Sequence, residues 1–294
     1  MLNFDTVRQW DFGLMPHAYD EHEAMLYALA VGAGRDPLDP CDLRYVYEKD
    51  LQVLPSMAAS LCAPGPWARD PRTGIDIVRV VHGEQDIVVH EPLPARAELH
   101  ARAQVTAILD KGVGKGAVVE VTRDLLDQAG KRYVTQRHRS FCRGDGGFSQ
   151  SHGQSLGRLE ALPSVPEREA DEELEWPICP RAALFYRLLG DFNPLHVDPA
   201  FAREAGYPKP ILHGLCMYGM ATQVVLRQRA DNDARRLRRL AVRFNAPAFP
   251  GETLRFRLWY TETELGHPAV HLQARIEARD ALVLDRGWFE LIKV

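Results

Sequence analysis

The sequence predicts an α+β protein made from one structural unit used twice. Three observations carry this. A proline-bearing, acidic stretch over residues 153–175 offers little apolar surface and divides the 294-residue chain. On either side, residues 1–152 and 176–294 follow the same plan: a polar or proline-rich lead, one apolar helical stretch, then a series of alternating strands. Both blocks also carry the same corner. Pro92-Leu93-Pro94-Ala95 precedes Leu99 in the first, and Pro247-Ala248-Phe249-Pro250-Gly251 precedes Leu254 in the second. Proline has no N–H to give to a sheet ladder, so a proline pair ends one strand before the next begins.

The elements follow in order. His22 to Ala33 is apolar on several sides and ends at Gly32 and Gly34, which reads as a buried helix. Strands are expected over Ile75–His82, Asp86–His90, Ala97–Leu109, Gly116–Asp127 and Arg132–Cys142, where β-branched residues and period-2 alternation coincide. In the second block Gly214 to Arg227 is the longest helix candidate. Strands are expected there over Leu237–Phe244, Thr253–Glu262, Ala269–Ala278 and Ala281–Leu291.

Composition closes off several classes of function. Thirty-six basic and 40 acidic residues give a net charge of -4, with no basic excess to attract nucleic acid or an anionic membrane. No run of 18 apolar residues occurs, so no membrane span is expected. The N-terminus lacks the apolar core of a signal peptide, and the last residues form no peroxisomal address. Five scattered cysteines form no CxxC pair or Cys/His cluster, which argues against a disulfide framework and against a metal site. A reduced cytoplasmic setting is the expectation.

The chemistry concentrates between Tyr186 and Tyr218. Gly190 and Asn193-Pro194 form turns, so Asp191, Asn193 and His196 sit on an irregular loop. Asp198-Pro199 is an N-cap followed by proline at the first helical position, and Gly206 closes that short helix. The long helix then starts near His213-Gly214, where free N–H groups and the positive dipole end are presented. An acid, an amide and an imidazole beside a helix start have the parts for proton transfer on a carbonyl compound. Asp191 and His196 would flank one water with Asn193 orienting it, and the Gly214 backbone N–H would polarise a thioester oxygen.

Gly190-Asp191-Phe192-Asn193-Pro194-Leu195-His196, with Ala202 six residues on, resembles the hydratase 2 motif of the MaoC-like enoyl-CoA hydratases. The resemblance extends to Tyr47-Glu48-Lys49-Asp50-Leu51, His82-Gly83-Glu84-Gln85, Lys209 to Leu215, and Arg243-Phe244 with Pro247, Pro250 and Gly251. These patches are similar to the (R)-specific hydratase 2 modules of peroxisomal multifunctional enzymes. The small residue usual before the Gly-Asp pair is Leu189 here, and no reacting group is missing.

The resemblance implies a double hot dog: two repeats, each a long helix wrapped by an antiparallel sheet. Residues 176–294 would be the catalytic repeat. Residues 1–152, which lack the motif, would be a degenerate copy that makes room for medium-to-long or bulky acyl tails. It implies syn addition of water across a trans-2-enoyl-CoA, giving the (R)-3-hydroxyacyl-CoA, with His196 as base and Asp191 as acid. For Asp191 to donate near pH 7 its pKa has to rise well above about 3.9, which requires burial. His213, Lys209, Arg243 and Tyr47 are the candidates for contacting the acyl-CoA substrate. No metal or organic cofactor is called for, because the thioester already activates the alkene. The expected assembly is a homodimer. Competing readings are a dehydratase of (R)-3-hydroxyacyl groups on acyl carrier protein, a hot-dog thioesterase, and a non-catalytic acyl-CoA-binding subunit. The intact Asp191, Asn193 and His196 stand against the last two.

Other signals are set aside. Lys111 to Gly116 lacks the spacing of a phosphate loop and reads as a hairpin turn. Arg143-Gly144-Asp145 is a glycine-rich turn. Arg235, Arg236, Arg238 and Arg239 read as a solvated strand face, and Cys216 as a core thiol.

Overall fold

Ten strands form one antiparallel sheet in the computed structural model, which describes residues 1–149 and 155–292. They are β1 Met15–Tyr19, β2 Val80–Val89, β3 Ala97–Asp110, β4 Ala117–Asp127, β5 Arg132–Cys142, β6 Glu172–Pro177, β7 Leu237–Phe244, β8 Thr253–Glu262, β9 Pro268–Ile276 and β10 Ala281–Leu291. Their order is β1-β3-β4-β5-β2-β7-β10-β9-β8-β6. The first five strands repeat as 6-8-9-10-7 in the reverse direction, so the second half is the first half rotated. The halves meet where β2 pairs with β7, from Glu84↔Arg243 to Val88↔Arg239. This is the duplicated, helix-wrapped sheet expected from the sequence.

β5, β7, β8 and β10 begin and end where the sequence pattern places them. β2 differs. Ile77–Arg79 is a 3-10 turn, and the two expected strands on either side of residue 83 are one strand with a bulge between His82 and Glu84. The edge strands β1 and β6 give no sequence signal. Pro16 sits in β1, and β6 is acidic with only Trp176 buried. Short, charged or proline-bearing edges of this kind resist pairing with another chain, and they hide the alternation that identifies inner strands.

The expected linker is also more ordered than its composition implies. β6 takes up its C-terminal end, Leu156 bridges to Ile108, and Leu162 is buried with its carbonyl accepting from the Arg286 guanidinium. Residues 153 and 154 of that linker lie outside the described residues, as do the ends of the expected blocks at 150–152 and 293–294.

The helix Gly214–Arg229 runs through the core. Every residue from Cys216 to Leu226 is buried, Thr222 and Gln223 included. The first-half helix, Glu21–Ala30, is capped by the Asp20 carboxylate on the His22 and Glu23 N–H groups. It is buried on one side only, and it lies against the second half. A Cβ at Gly219 would sit 2.4 Å from Val31 Cγ1 and 2.9 Å from the Tyr27 hydroxyl. Glycine is therefore what lets the two segments touch. Gly219→Ala should cost about 1–3 kcal/mol, because extra volume in a filled core forces its neighbours to move. A thermal melt reads this as a lower midpoint, and an unchanged midpoint would show the contact to be soft. No helix among the described residues is long and apolar enough to cross a membrane.

Candidate active site

The loop is assembled by local capping. Helix Ala182–Tyr186 runs into a 3-10 turn, Arg187–Leu189, and Gly190 turns the chain at φ +105°. The Asp191 carboxylate accepts the Asn193 N–H at 3.2 Å, and the Asn193 side-chain oxygen accepts the Leu195 N–H at 3.1 Å. Asn193 thus caps the turn Pro194–His196, which begins with proline and ends at His196. Asp198 caps the helix Pro199–Glu204 in the same way. The chain then returns, with the Ile211 N–H donating to the Leu195 carbonyl at 3.3 Å, and reaches His213 at the start of the long helix.

That return lays His213 on His196. Their rings stack at 3.6 Å between centroids and 25° between planes. Asp191, His196 and His213 each offer a nitrogen or carboxylate oxygen within 4.8 Å of the others. Both imidazoles are buried, whereas Asp191 is exposed. The His196 Nδ1 lies 2.9 Å from the Ile211 carbonyl oxygen. A carbonyl only accepts, so Nδ1 carries the hydrogen and Nε2 holds the lone pair. Burial pushes His196 below its ordinary value of 6.5, against the opposing pull of the Ile211 carbonyl and Asp191. His213 is held down at about 4, first by burial and then by the neighbouring His196. Its Nε2 is 3.4 Å from the Asp191 carbonyl oxygen and its buried Nδ1 has no partner.

Chemically, the cluster is a neutral imidazole base beside a carboxylic group, supported by a second imidazole. As a cation site it is poorly shaped. An imidazole binds a metal in its ring plane at about 2 Å. Two rings stacked at 3.6 Å point their lone pairs along nearly parallel planes and not at one ion. Gly214 opens the long helix beside this cluster, and its N–H belongs to the first turn, which has no intrahelical acceptor. A Cβ there would press on the Phe244 ring at 3.3 Å.

The structure brings together Asp191, Asn193, His196, His213 and Gly214 and places the other candidates around them. Asp191 is not buried within the single chain. The Asn193 side-chain oxygen caps a turn and so supports the loop that carries His196. Tyr47 is not at the site; it lines a separate groove with Arg44, Lys49 and Arg235. Lys209 is exposed, with Nζ 5.3 Å from the Phe249 ring centre. Arg243 is taken by Glu84, whose carboxylate accepts from its Nε at 2.8 Å and Nη2 at 2.6 Å. The arginine run is likewise engaged: Arg239 pairs with Asp86, Arg235 with Asp233, and Arg238 donates to the Val89 and His90 carbonyls.

Sequence reasoning missed two neighbours. The Tyr186 ring lies 4.9 Å from His213. His82, from β2 of the first half, lies 4.6 Å from the Phe244 ring and 3.9 Å from His138, and feels the charge of Asp191. Burial lowers the His82 pKa to about 4. The segment His82-Gly83-Glu84-Gln85 was the available signal for it.

Residues 17–144 match the family model for the MFE-2 hydratase 2 N-terminal domain, and residues 162–281 match that for the MaoC like domain. The chain is 36% identical over 282 residues to the peroxisomal multifunctional enzyme type 2 of Mus musculus, covering 94% of this chain and 37% of that one. It therefore spans little more than a third of that relative's length. It is 39% identical over 242 residues to the enoyl-CoA hydratase ChsH3 of Mycobacterium tuberculosis, covering 81% and 82% of the two chains. Among solved structures, a MaoC-like dehydratase from Phytophthora Capsici superposes with a TM-score of 0.85 at 30% identity, covering both chains completely.

Proposed function

The chain belongs to the MaoC-like enoyl-CoA hydratase 2 family and is a double hot-dog hydro-lyase, and from that premise we propose that it catalyses the reversible, (R)-specific hydration of trans-2-enoyl-CoA. One observation carries the reading. The Ile211 carbonyl fixes the tautomer of a buried, neutral His196, which leaves Nε2 as the base on a ring that offers a nitrogen within 4.8 Å of an Asp191 carboxylate oxygen.

In this mechanism His196 Nε2 takes a proton from water as the oxygen adds to C3 of the thioester. The C2 carbon receives its proton from Asp191 on the same face, giving syn addition. The carboxyl must hold a proton at that moment. Leu188, Phe192 and Val197, close to it in sequence, are exposed and would form an apolar surround with the bound acyl chain. The enolate oxygen is held by the Gly214 N–H at the positive end of the long helix. Stacked His213 fixes the plane of His196 as a positioning residue. The thioester acidifies C2 and activates C3, so the proposed steps call on no metal and no organic cofactor.

The direct test follows loss of enoyl-thioester absorbance with crotonyl-CoA and a C10 enoyl-CoA, with chiral analysis of the product. An (R) product is expected, and an (S) product would contradict the assignment. The pH profile gives an independent check. The His196 pKa is depressed, so its active neutral form persists above that lowered value and is lost as pH falls through it. The acid limb of kcat/KM, which reports the free enzyme, is therefore expected below pH 6.5. A limb centred above 6.5 would exclude buried His196 as the base.

A further inference from the structure

Two turns set aside in the sequence lie side by side at one end of the first half. One is the β3–β4 hairpin, closed by Lys111 N–H to the Gly116 carbonyl and Lys115 N–H to the Gly112 carbonyl, both at 3.0 Å. The other follows β5 and contains Arg143 to Gly147. They touch backbone to backbone: a Cβ at Gly146 would lie 2.1 Å from the Gly112 carbonyl oxygen. Asp110 ties them together. Its carboxylate accepts the Gly112 N–H at 2.8 Å and the Gly147 and Ser149 N–H groups at 2.7 Å each. Burial opposes this charge, yet those bonds hold the Asp110 pKa down at about 2. Asp145 is buried and accepts the Asp76 N–H at 3.1 Å, whereas Arg143 faces outward.

Between these turns and the seam of the two halves lies a groove of about 380 Å³. Val81, Val118, Phe141 and Phe244 give it an apolar floor. Four cations line it. Arg139 and Arg243 are both paired with Glu84. Lys111 and Arg143 are exposed, and among the described residues neither pairs with a carboxylate. Glu160 is the other acidic residue on its lining. Phe244 is common to the groove and the active site: it lines the one and lies against Gly214 and His82 at the other.

We propose that this groove holds the nucleotide of the CoA thioester, with Lys111 and Arg143 of the non-catalytic half binding its phosphates and the apolar floor receiving the base. The inference rests on the hydratase reading and adds to it a choice of carrier. A flat base joined to several phosphates matches an apolar floor with two cations at its edge that no carboxylate neutralises, Lys111 resting over the Phe141 ring at 5.4 Å. A carrier-protein thioester presents one phosphate diester and no base.

The experiment compares the wild type with Lys111→Ala/Arg143→Ala on two substrates, crotonyl-CoA and the crotonyl thioester of N-acetylcysteamine, which lacks the nucleotide. The double variant is expected to raise KM for crotonyl-CoA by about tenfold or more, the scale of losing charge-assisted phosphate contacts, with kcat nearly unchanged. Its activity on the truncated thioester should equal that of the wild type. Adenosine 3′,5′-bisphosphate should compete with crotonyl-CoA on the wild type and lose that effect on the variant. An unchanged KM for crotonyl-CoA, or an equal loss on both thioesters, overturns the proposal. A wild type inert toward both would remove the hydratase reading itself, and this inference with it.

Discussion

Replacing His196 by alanine should lower kcat with crotonyl-CoA by about 10²–10⁴-fold, the span expected when a positioned acid or base is removed. The ring hydrogen of His196 sits on Nδ1. The Ile211 carbonyl at 2.9 Å fixes that tautomer, and burial keeps the ring neutral, so Nε2 is already a base before substrate arrives. Asp191→Asn should produce a loss of the same order, since an amide cannot deliver a proton to carbon. In the proposed mechanism the two groups serve one water and one double bond, so the double variant should be scarcely worse than either single one. Because His196 is 8% exposed and stacked on His213, His196→Gln belongs in the series as a variant that leaves less empty volume. Thermal melts on all of them separate a chemical loss from a structural one. Activity surviving both His196→Ala and Asp191→Asn would remove the mechanism.

Much of this site was legible because its shape is set by short-range capping. Asp191, Asn193 and Asp198 each bond to N–H groups two or three residues on, and Pro194 and Pro199 start their turns. Those are local rules that a sequence displays. The strands that matched their expected ends are likewise inner strands with β-branched alternation and turn residues at both ends. What escaped depends on distant chain. His213 reaches His196 only after a helix and a proline-rich return. The pairing of Arg243 with Glu84, 159 residues away, arises only through the β2–β7 register. The exposure of Asp191 is a property of what covers the loop, and no spacing of residues encodes it. Lys111 and Arg143 looked incidental for the same reason: the Gly146–Gly112 contact that joins their turns has no counterpart in the local pattern.

The largest effect on stability is expected at that seam. Arg139 is 8% exposed; its Nε donates to Glu120 at 2.7 Å and its Nη1 to Glu84. Glu84 in turn accepts from Arg243 of the second half, and Glu120 from the Thr106 hydroxyl at 2.8 Å. One buried guanidinium therefore serves two buried carboxylates, one of which links the halves. Arg139→Leu should destabilise the chain by about 3–5 kcal/mol, because removing one partner of a buried ion pair leaves uncompensated charge in a poorly solvated place. The midpoint of urea unfolding measures this. Glu84 keeps Arg243, so most of the penalty should fall on Glu120, and Arg139→Leu/Glu120→Leu should recover much of it. If the two substitutions simply add, the energy lies in side-chain packing and the coupling argued here is absent. If the double variant is more stable than Arg139→Leu alone, the network is a matched set of charges that holds β2, β4 and β5 in register beside β7, and with them the floor of the groove.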